Sequence, residues 1–575
     1  MSTTGTTAIL RTDAEIEAST QSIRHQLRLL QGDDVAEIGL SREKAGLSLP
    51  SSYLGSLKDD IQRLVQYLYF TWSTLFKSIM SGELDLVTIL SNIFWAWLSS
   101  TGLILTVPVC MVGNLPVLSK LWTKKYGTAS IINFSNPKLF EALTQQQCDA
   151  AKMALSADVD VTATNPRSFS IDAAKLLLQL SAIMYERDSN SMTAAVDTAQ
   201  TAAKNTEATQ PGKGNTPVAN EPNQKLSITP GAYMQSCFSA SDSAKIQNVV
   251  DTTGPASESV IQRFVGRYGI NFAVASELKT TSQAYCSVFW DPRSKWVVVA
   301  FKGTDPLSVE EWTTDYTATF EDASKDISGF QFLHKGFKDR IIPSDGRQPY
   351  YTIRAAVLIV VAELIKGQQP GTKINVWTTG HSLGTVLASV TYAKALTDLD
   401  LGSDAVLRDG YVFATPILCD VVSRLSFDAK MLESEKTVPR TLFRITNRDD
   451  AVATGLPHLG DTTDKGFGKY NEFNYGHLGV EISMKDSPAP CQMSGDAVKA
   501  PNGFGVQVTS KFDQATLNQM RKNAQAAGLD QPAWFGWLQY IPILGRVDAH
   551  FTTNYWEQLN RIGLGACVPE KNFGR

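Results

Sequence analysis

Midway along the 575-residue chain, the stretch Val376–Ala388, VWTTGHSLGTVLA, sets a serine between two glycines. Residues Gly380, His381, Ser382, Leu383 and Gly384 fit G-x-S-x-G, with β-formers before them and helix-formers after. In that pattern the serine occupies a sharp, strained turn between strand and helix, and its hydroxyl is lifted clear as a nucleophile. The glycines are needed because side chains there would strike the neighbouring strand and helix. The backbone N–H of Leu383, at the helix N-terminus, faces the charge that develops on an attacked carbonyl. A structural turn of the same pattern is the alternative, and the strand–turn–helix context argues for the nucleophile.

Such a serine needs an acid and then a histidine, following it in that chain order. Asp449 and Asp450 compete for the first role in RITNRDDAV, just past a strand pattern. Of the six histidines, His25 lies in the polar N-terminal part, and His334 and His381 precede the acid. His458 stands close behind Asp450 in the acid loop itself. His477 and His550 remain, and chain order does not separate them. Acyl transfer by this set requires no metal or organic cofactor.

These groups must be held by a scaffold whose pattern is legible on both sides of the serine. Trp296–Phe301, WVVVAF, is a continuous β-branched run expected of a strand buried on both faces. Ile353–Ile365 is long enough for a covering helix. Ile374–Thr378 reads as a strand, Leu383–Leu396 as a helix, and Gly410–Ala414 and Leu442–Thr446 as two more strands. Such alternation predicts an α/β fold with a mainly parallel central sheet covered by helices on both faces.

Composition narrows the remaining classes. With 43% hydrophobic and 19% charged residues the chain is a folded globular protein. A formal net charge of -4 gives no reason to expect nucleic acid as a partner. The seven cysteines are scattered without a CxxC pair, which argues against a zinc site and a disulfide framework. The N-terminus lacks a basic start followed by an apolar run, so an intracellular location is expected.

Residues 1–60 read as a polar, flexible N-terminal region and residues 61–125 as a hydrophobic, membrane-associating helical extension. Within the latter, Leu86–Ser119 contains no charged residue, enough to cross or enter a bilayer. Gly102, Pro108, Gly113 and Pro116 favour a kinked or re-entrant element. Leu64–Met80 is aromatic-rich, like segments at a membrane interface. Glu83 and Asp85 precede the run, and Lys120, Lys124 and Lys125 follow it, which would place everything beyond in the cytosol. A buried hairpin of a soluble domain is the alternative. Asn190–Pro222, rich in Ala, Thr, Asn and Pro, reads as a flexible low-complexity insertion within a domain at 126–568.

TTGHSLGTVLASV resembles the elbow of the class 3 (fungal-type) triacylglycerol lipases, and further segments extend the likeness. VVVAFKGTDP resembles their oxyanion strand and loop, EEWTTD their Trp-x-x-Asp, LHKGF their His-x-Gly-Phe, and NRDDAVATGLP their acid loop. Together these run from about Phe169 to Gly563, and the N-terminal hydrophobic region with AHFTTNYWEQLNRIG looks most like the oil-body-lipase branch. The resemblance implies an α/β-hydrolase fold. It implies Thr304, with Leu383, as an oxyanion donor, and Lys302 stands where the family usually has Arg. The register of Val452 selects Asp450 as the acid and leaves Asp449 a solvated loop residue. DAHFTTNYW resembles the segment carrying the base, which selects His550, although Ala549 separates it from Asp548 where many relatives have the pair adjacent. GHLGVE resembles a structural strand, which leaves His477 as the fallback.

The resemblance further implies hydrolysis of acylglycerol esters at a membrane or lipid-droplet surface. A phospholipase A1 or general carboxylesterase is the alternative, and a catalytically inactive lipid-binding scaffold the alternative of another class. A lid is expected within Leu307–Phe332. Pro532–Leu544, PAWFGWLQYIPIL, reads as an acyl-groove, membrane-contact or core segment. Oligomeric state is not encoded in these motifs.

Overall fold

The computed structural model describes residues 11–44, 53–82, 86–126, 130–133, 138–158, 167–188, 190–209, 229–278, 285–317, 319–343, 349–398, 401–434, 437–447, 450–454, 475–484, 492–494, 506–509, 519, 522, 546–561 and 568–569. Its strands in chain order are β1 (Arg167–Ser170), β2 (Asn271–Ser276), β3 (Cys286–Trp290), β4 (Trp296–Phe301), β5 (Phe320–Asp322), β6 (Phe332–His334), β7 (Ile374–His381), β8 (Ala405–Phe413), β9 (Leu442–Asn447), β10 (Val480–Met484), β11 (Gln492–Ser494), β12 (Val506–Thr509) and β13 (Val568–Pro569).

The central sheet is nine-stranded, in the order β13-β11-β10-β9-β8-β7-β4-β3-β2. From β4 through β7, β8 and β9 to β10 every pairing is parallel. Antiparallel pairings flank this block, β2 to β3 and β3 to β4 on one side and β10 to β11 on the other. The buried apolar runs of β4, β7 and β9 account for the central position of these strands, since each has both faces covered. Helices Ile171–Ile183, Pro349–Leu364 and Leu383–Asp398 pack on the sheet and are buried over most of their lengths. The α/β expectation and its mainly parallel sheet are borne out. The expected strand Gly410–Ala414 is the second half of the longer β8, and the helix expected at Ile353 begins at Pro349.

Two expectations at the periphery are corrected. Asp13–Lys44 is a 32-residue helix rather than a flexible arm. Ile23, Leu27 and Leu30 join the core of the sheet, and its polar positions find partners inside the protein. Arg28 pairs with Glu258 at 3.0 Å, and the Gln31 amide donates to Glu277, which also binds Arg187. Polarity therefore misled because the buried polar groups are satisfied, and satisfied groups are not excluded from interiors.

The second correction is the expected insertion. Asn190–Thr209 is a 20-residue helix. It packs against Asp13–Lys44 and the helix Ala240–Gly266 in a separate core of Val35, Ile38, Val196, Ala199, Ile246 and Val250. Small residues make this burial: a Cβ built on Gly39 would lie 2.6 Å from the Ala199 Cβ, so the backbones meet closely. Residues 210–222 of the expected insertion lie outside the described residues.

The helices Tyr53–Met80 and Leu86–Gly113 pack on each other, tied by a hydrogen bond from Trp72 Nε1 to Ser100 Oγ at 3.1 Å. The second runs unbroken through Gly102 and Pro108 to Gly113, and Pro116 opens the next helix, where its missing N–H costs nothing. Among the described residues it is the one helix long and apolar enough to cross a membrane by length and composition. Trp95, Leu103 and Val107 are buried, while Leu90, Phe94, Trp97, Leu105 and Val112 face outward.

Candidate active site

The carboxyl ends of parallel strands are where an open α/β sheet presents its ligands. Here β4, β7 and β9 deliver Thr304, Ser382 and Asp450 within three residues of their ends. Pairing of Phe301 with Gly380 brings the first two side by side.

Ser382 has φ +57°, a conformation rare for a residue with a side chain, and the fold over-determines it. A Cβ on Gly380 would lie 2.3 Å from the Gly384 carbonyl oxygen, and one on Gly384 would lie 2.3 Å from that of Phe301. Neither contact is tolerable, so both glycines of the motif are required by backbone approach. The Ser382 N–H donates to the Phe413 carbonyl at 3.0 Å, which anchors the turn to β8.

His550 follows a short turn whose Asp548 carbonyl is held by Asn554 Nδ2 at 2.6 Å. Its Nδ1 lies 3.0 Å from both carboxylate oxygens of Asp450. A carboxylate only accepts, so Nδ1 carries a proton, and in a neutral imidazole Nε2 is then the nitrogen left to accept. Asp450 is fully buried, and burial alone would raise its pKa. The His550 imidazole, the Tyr555 hydroxyl and the Val452 N–H outweigh burial and hold the carboxyl below its ordinary value. Tyr555 donates to Asp450 at 2.6 Å, and Asn447 braces both neighbours, donating its N–H to Tyr555 and its amide to the Ala549 carbonyl.

His477 lies elsewhere: its Nδ1 is 3.1 Å from the Pro416 carbonyl oxygen, beside β10. His458 and Asp449 lie outside the described residues, as does Pro532–Leu544. Among the described residues, Ser382 Oγ makes no hydrogen bond to His550, and such contacts commonly tighten only with substrate bound.

His381, set aside as a base, has a supporting place. It is fully buried, which drives its pKa down to about 3 and keeps it neutral. Its Nε2 donates to the His550 carbonyl at 2.9 Å, and its Nδ1 accepts from the Tyr185 hydroxyl at 3.0 Å. Tyr185 comes from a short 3-10 turn remote in sequence, and nothing local in the chain announces it.

Thr304 and Leu383 are both buried beside the serine. Among the described residues neither backbone N–H donates to a protein acceptor outside the helix that begins at Leu383, so both are open to an oxyanion. The Thr304 hydroxyl donates to Asp315 Oδ2 at 2.7 Å, and the Asp305 N–H to Glu311 Oε2 at 2.5 Å. Both acids stand on the helix Val309–Tyr316, inside the segment expected to hold a lid. Glu311 is fully buried and sits 3.8 Å from Lys302 Nζ, which also lies over the Tyr185 ring. The lysine thus holds the helix by charge, without the two-pronged contact an arginine makes.

Burial raises Glu311 above its ordinary pKa despite Lys302. Asp315 is half-buried as a residue, but its Oδ1 is enclosed, and burial pushes it up to about 7, against the Thr304 hydroxyl and with Glu311 adding repulsion. Among the described residues no group of three or more His, Cys, Asp or Glu side chains is placed to hold a metal.

Residues 298–459 match the family model for Lipase (class 3). That span contains Thr304, Ser382, Leu383 and Asp450, and His550 lies beyond it. The lipase from Rhizopus microsporus var. chinensis is 19% identical, the match covering 43% of this chain and 77% of that one, with a TM-score of 0.28. The native Rhizomucor miehei lipase propeptide complex is 21% identical over 39% of this chain and 59% of that one, with a TM-score of 0.27. Lip2 lipase from Yarrowia lipolytica is 20% identical over 36% and 61%, with a TM-score of 0.23. The chain spans 58% to 63% of the Rhizomucor miehei chains it matches. No curated protein matches it. The resemblance drawn from the motifs thus holds for class 3 lipases over 298–459, on a sheet and elbow of α/β-hydrolase form.

Proposed function

We propose that the chain hydrolyses carboxylic esters of acylglycerols through an acyl-enzyme on Ser382. The observation that carries this reading is the gathering of a strained serine, a buried Asp450–His550 pair and two open N–H groups at the carboxyl ends of the central strands. His550 Nε2 takes the Ser382 proton as Oγ attacks the ester carbonyl, and Asp450 stabilises the imidazolium. The N–H groups of Thr304 and Leu383 hold the oxyanion, and each such donor contributes about 3 kcal/mol. The imidazolium protonates the leaving alcohol. Water then attacks the acyl-enzyme with His550 again as base, which releases the fatty acid and restores the serine.

Acylglycerol at a membrane or droplet surface is the substrate form we favour, with the hydrolase domain in the cytosol. The outward apolar faces of Tyr53–Met80 and Leu86–Gly113 support it, together with Lys120, Lys124 and Lys125 beyond them. The same region and the late AHFTTNYWEQLNRIG segment support a place near the oil-body branch.

Rates on tri-, di- and monoacylglycerols and on phospholipids, with Ser382→Ala as control, test the reading. Serine-dependent turnover of acylglycerols in excess of phospholipids is expected. Preference for phospholipids would replace it with a phospholipase A1, and absence of any serine-dependent turnover would leave a lipid-binding scaffold.

A further inference from the structure

Residues 130–133 follow the N-terminal helices, and Asn133, the last of them, is fully buried. Its Nδ2 donates to the Ala182 carbonyl at 2.8 Å and to Glu186 Oε1 at 3.0 Å. Its Oδ1 accepts at 2.8 Å from the hydroxyl of Thr552, a residue 419 positions away, and the same hydroxyl lies 3.2 Å from the Ile132 carbonyl oxygen. The amide stands only one way round. A backbone carbonyl only accepts, so the nitrogen faces Ala182 and the oxygen is left for the hydroxyl. Three groups far apart in sequence therefore meet on one side chain, inside the protein, where a lost partner is costly.

Both ends of this contact lead to His550. Thr552 opens the helix Thr552–Arg561 two residues past the base, and that helix also carries Tyr555, the donor to Asp450. Ala182 and Glu186 flank Tyr185, whose hydroxyl donates to His381 Nδ1, and His381 Nε2 returns to the His550 carbonyl. Asn133 thus closes a ring that runs from His550 through Thr552, Asn133, the Tyr185 turn and His381 back to His550. Ile132 fills the space beside it, packed with Tyr185 and Phe551. A base anchored on one side swings about its anchor, whereas a base within such a ring shifts only by breaking a buried hydrogen bond.

We propose that Asn133 is a positioning residue for the base: it clasps the turn after His550 to the turn that carries Tyr185, and so sets where His550 Nε2 stands relative to Ser382. A side chain from just behind the N-terminal helices thereby belongs to the frame of the site. Proton transfer from Ser382 requires donor and acceptor within hydrogen-bond reach, so a small displacement of the base falls on kcat rather than on KM. This rests on the reading of His550 as base and adds a residue to that same site.

The test uses the full chain and a soluble short-chain nitrophenyl ester. Asn133→Ala removes the clasp, and Thr552→Val keeps the shape of the threonine while removing its hydroxyl. Each should lower kcat about tenfold with KM within about twofold. The double variant should lose about as much as the worse single one, because both remove the same contact. Thr552→Ser, which keeps the hydroxyl, should stay within about threefold of the parent. Ile246→Ala, in the separate core around Val196, shows what destabilisation alone does: Tm should fall, with kcat within about twofold of the parent. Amide hydrogen exchange over residues 547–555 should rise in Asn133→Ala and Thr552→Val and not in Ile246→Ala.

If Asn133→Ala does not fold, Thr552→Val and Thr552→Ser decide by the same readings. The clasp is overturned if either folded single variant keeps kcat within about twofold of the parent, or if the two losses multiply in the double variant. It is equally overturned if serine fails to restore what valine removes, or if exchange over 547–555 does not change. Absence of Ser382-dependent hydrolysis would instead sink the functional reading, and the exchange measurement still decides the clasp.

Discussion

The proposed acid–base pair, Asp450 and His550, and the proposed oxyanion loop at Thr304 are supported by different parts of the molecule. Asp450 accepts from His550, Tyr555 and the N–H groups of Val452 and Ala453, and His550 is held from behind by His381 through its own carbonyl. Asp450 lies just past β9, Tyr555 stands on the helix Thr552–Arg561 packed against that strand, and Asp450 is fully enclosed. Thr304 is held by one carboxylate on an eight-residue helix, and that helix leans on a helical pair whose far face is bare. On the proposed reading the Asp450–His550 pair is fixed by the core, whereas the Thr304 loop is held by a short helix that rests partly on Lys302 and partly on the N-terminal pair.

The largest expected effect separates the two candidate bases. His550→Ala should lower kcat about 10⁴-fold, and His477→Ala should leave it within about tenfold. The reverse pattern in folded proteins would dissolve the acid–base half as drawn. Next, Thr304→Val should cost about 10² in kcat by freeing the loop from Asp315, with KM nearly unchanged. A pure KM effect would make Thr304 a binding residue and erase the contrast.

Tyr555→Phe comes third. It should lower stability by about 1 kcal/mol, read from denaturant unfolding, and kcat by about tenfold. It removes one of several donors to Asp450, so a loss as great as that of His550→Ala would show that the half is less redundantly held than its contacts imply.

The smallest effect depends on pH. Asp315 is raised to about 7, chiefly by burial, so it is neutral below that value and charged above it. Its folded pKa exceeds the unfolded one, hence the stability it contributes is present below about pH 4 and lost as pH rises toward 7. A negative charge there also opposes the oxyanion. The ratio of parent kcat to that of Asp315→Asn should accordingly be flat in mild acid and decline a few-fold across pH 7. A flat ratio throughout would mean that the loop does not sense this carboxyl.

Much of the first half was legible in the sequence because its constraints are local. Gly380 and Gly384 are dictated by backbone approach within one strand–turn–helix, and the pattern of apolar strands predicts the sheet that carries them. Asp450 and His550 needed the lipase resemblance, since residue order left Asp449 and His477 in contention. Tyr185 and the role of His381 were not legible: they meet across the fold through a contact that no spacing encodes. Glu311 and Asp315 lay within a recognised segment, yet their grip on residues 304–305 depends on how one short helix is turned. The helices Asp13–Lys44 and Asn190–Thr209 were misread for a different reason. One buries polar side chains in satisfied pairs and the other packs through alanines, and both look solvated when only large apolar residues are counted.

The central claim is that Ser382 is the nucleophile of an ester hydrolase, and covalent capture tests it most directly. The full chain is treated with a fluorophosphonate that mimics the tetrahedral acyl intermediate, and the modified peptide is located by mass spectrometry. One adduct on Ser382 is expected, absent from Ser382→Ala and much slowed in His550→Ala. A folded chain that takes no adduct, or takes it on another serine, would contradict the account.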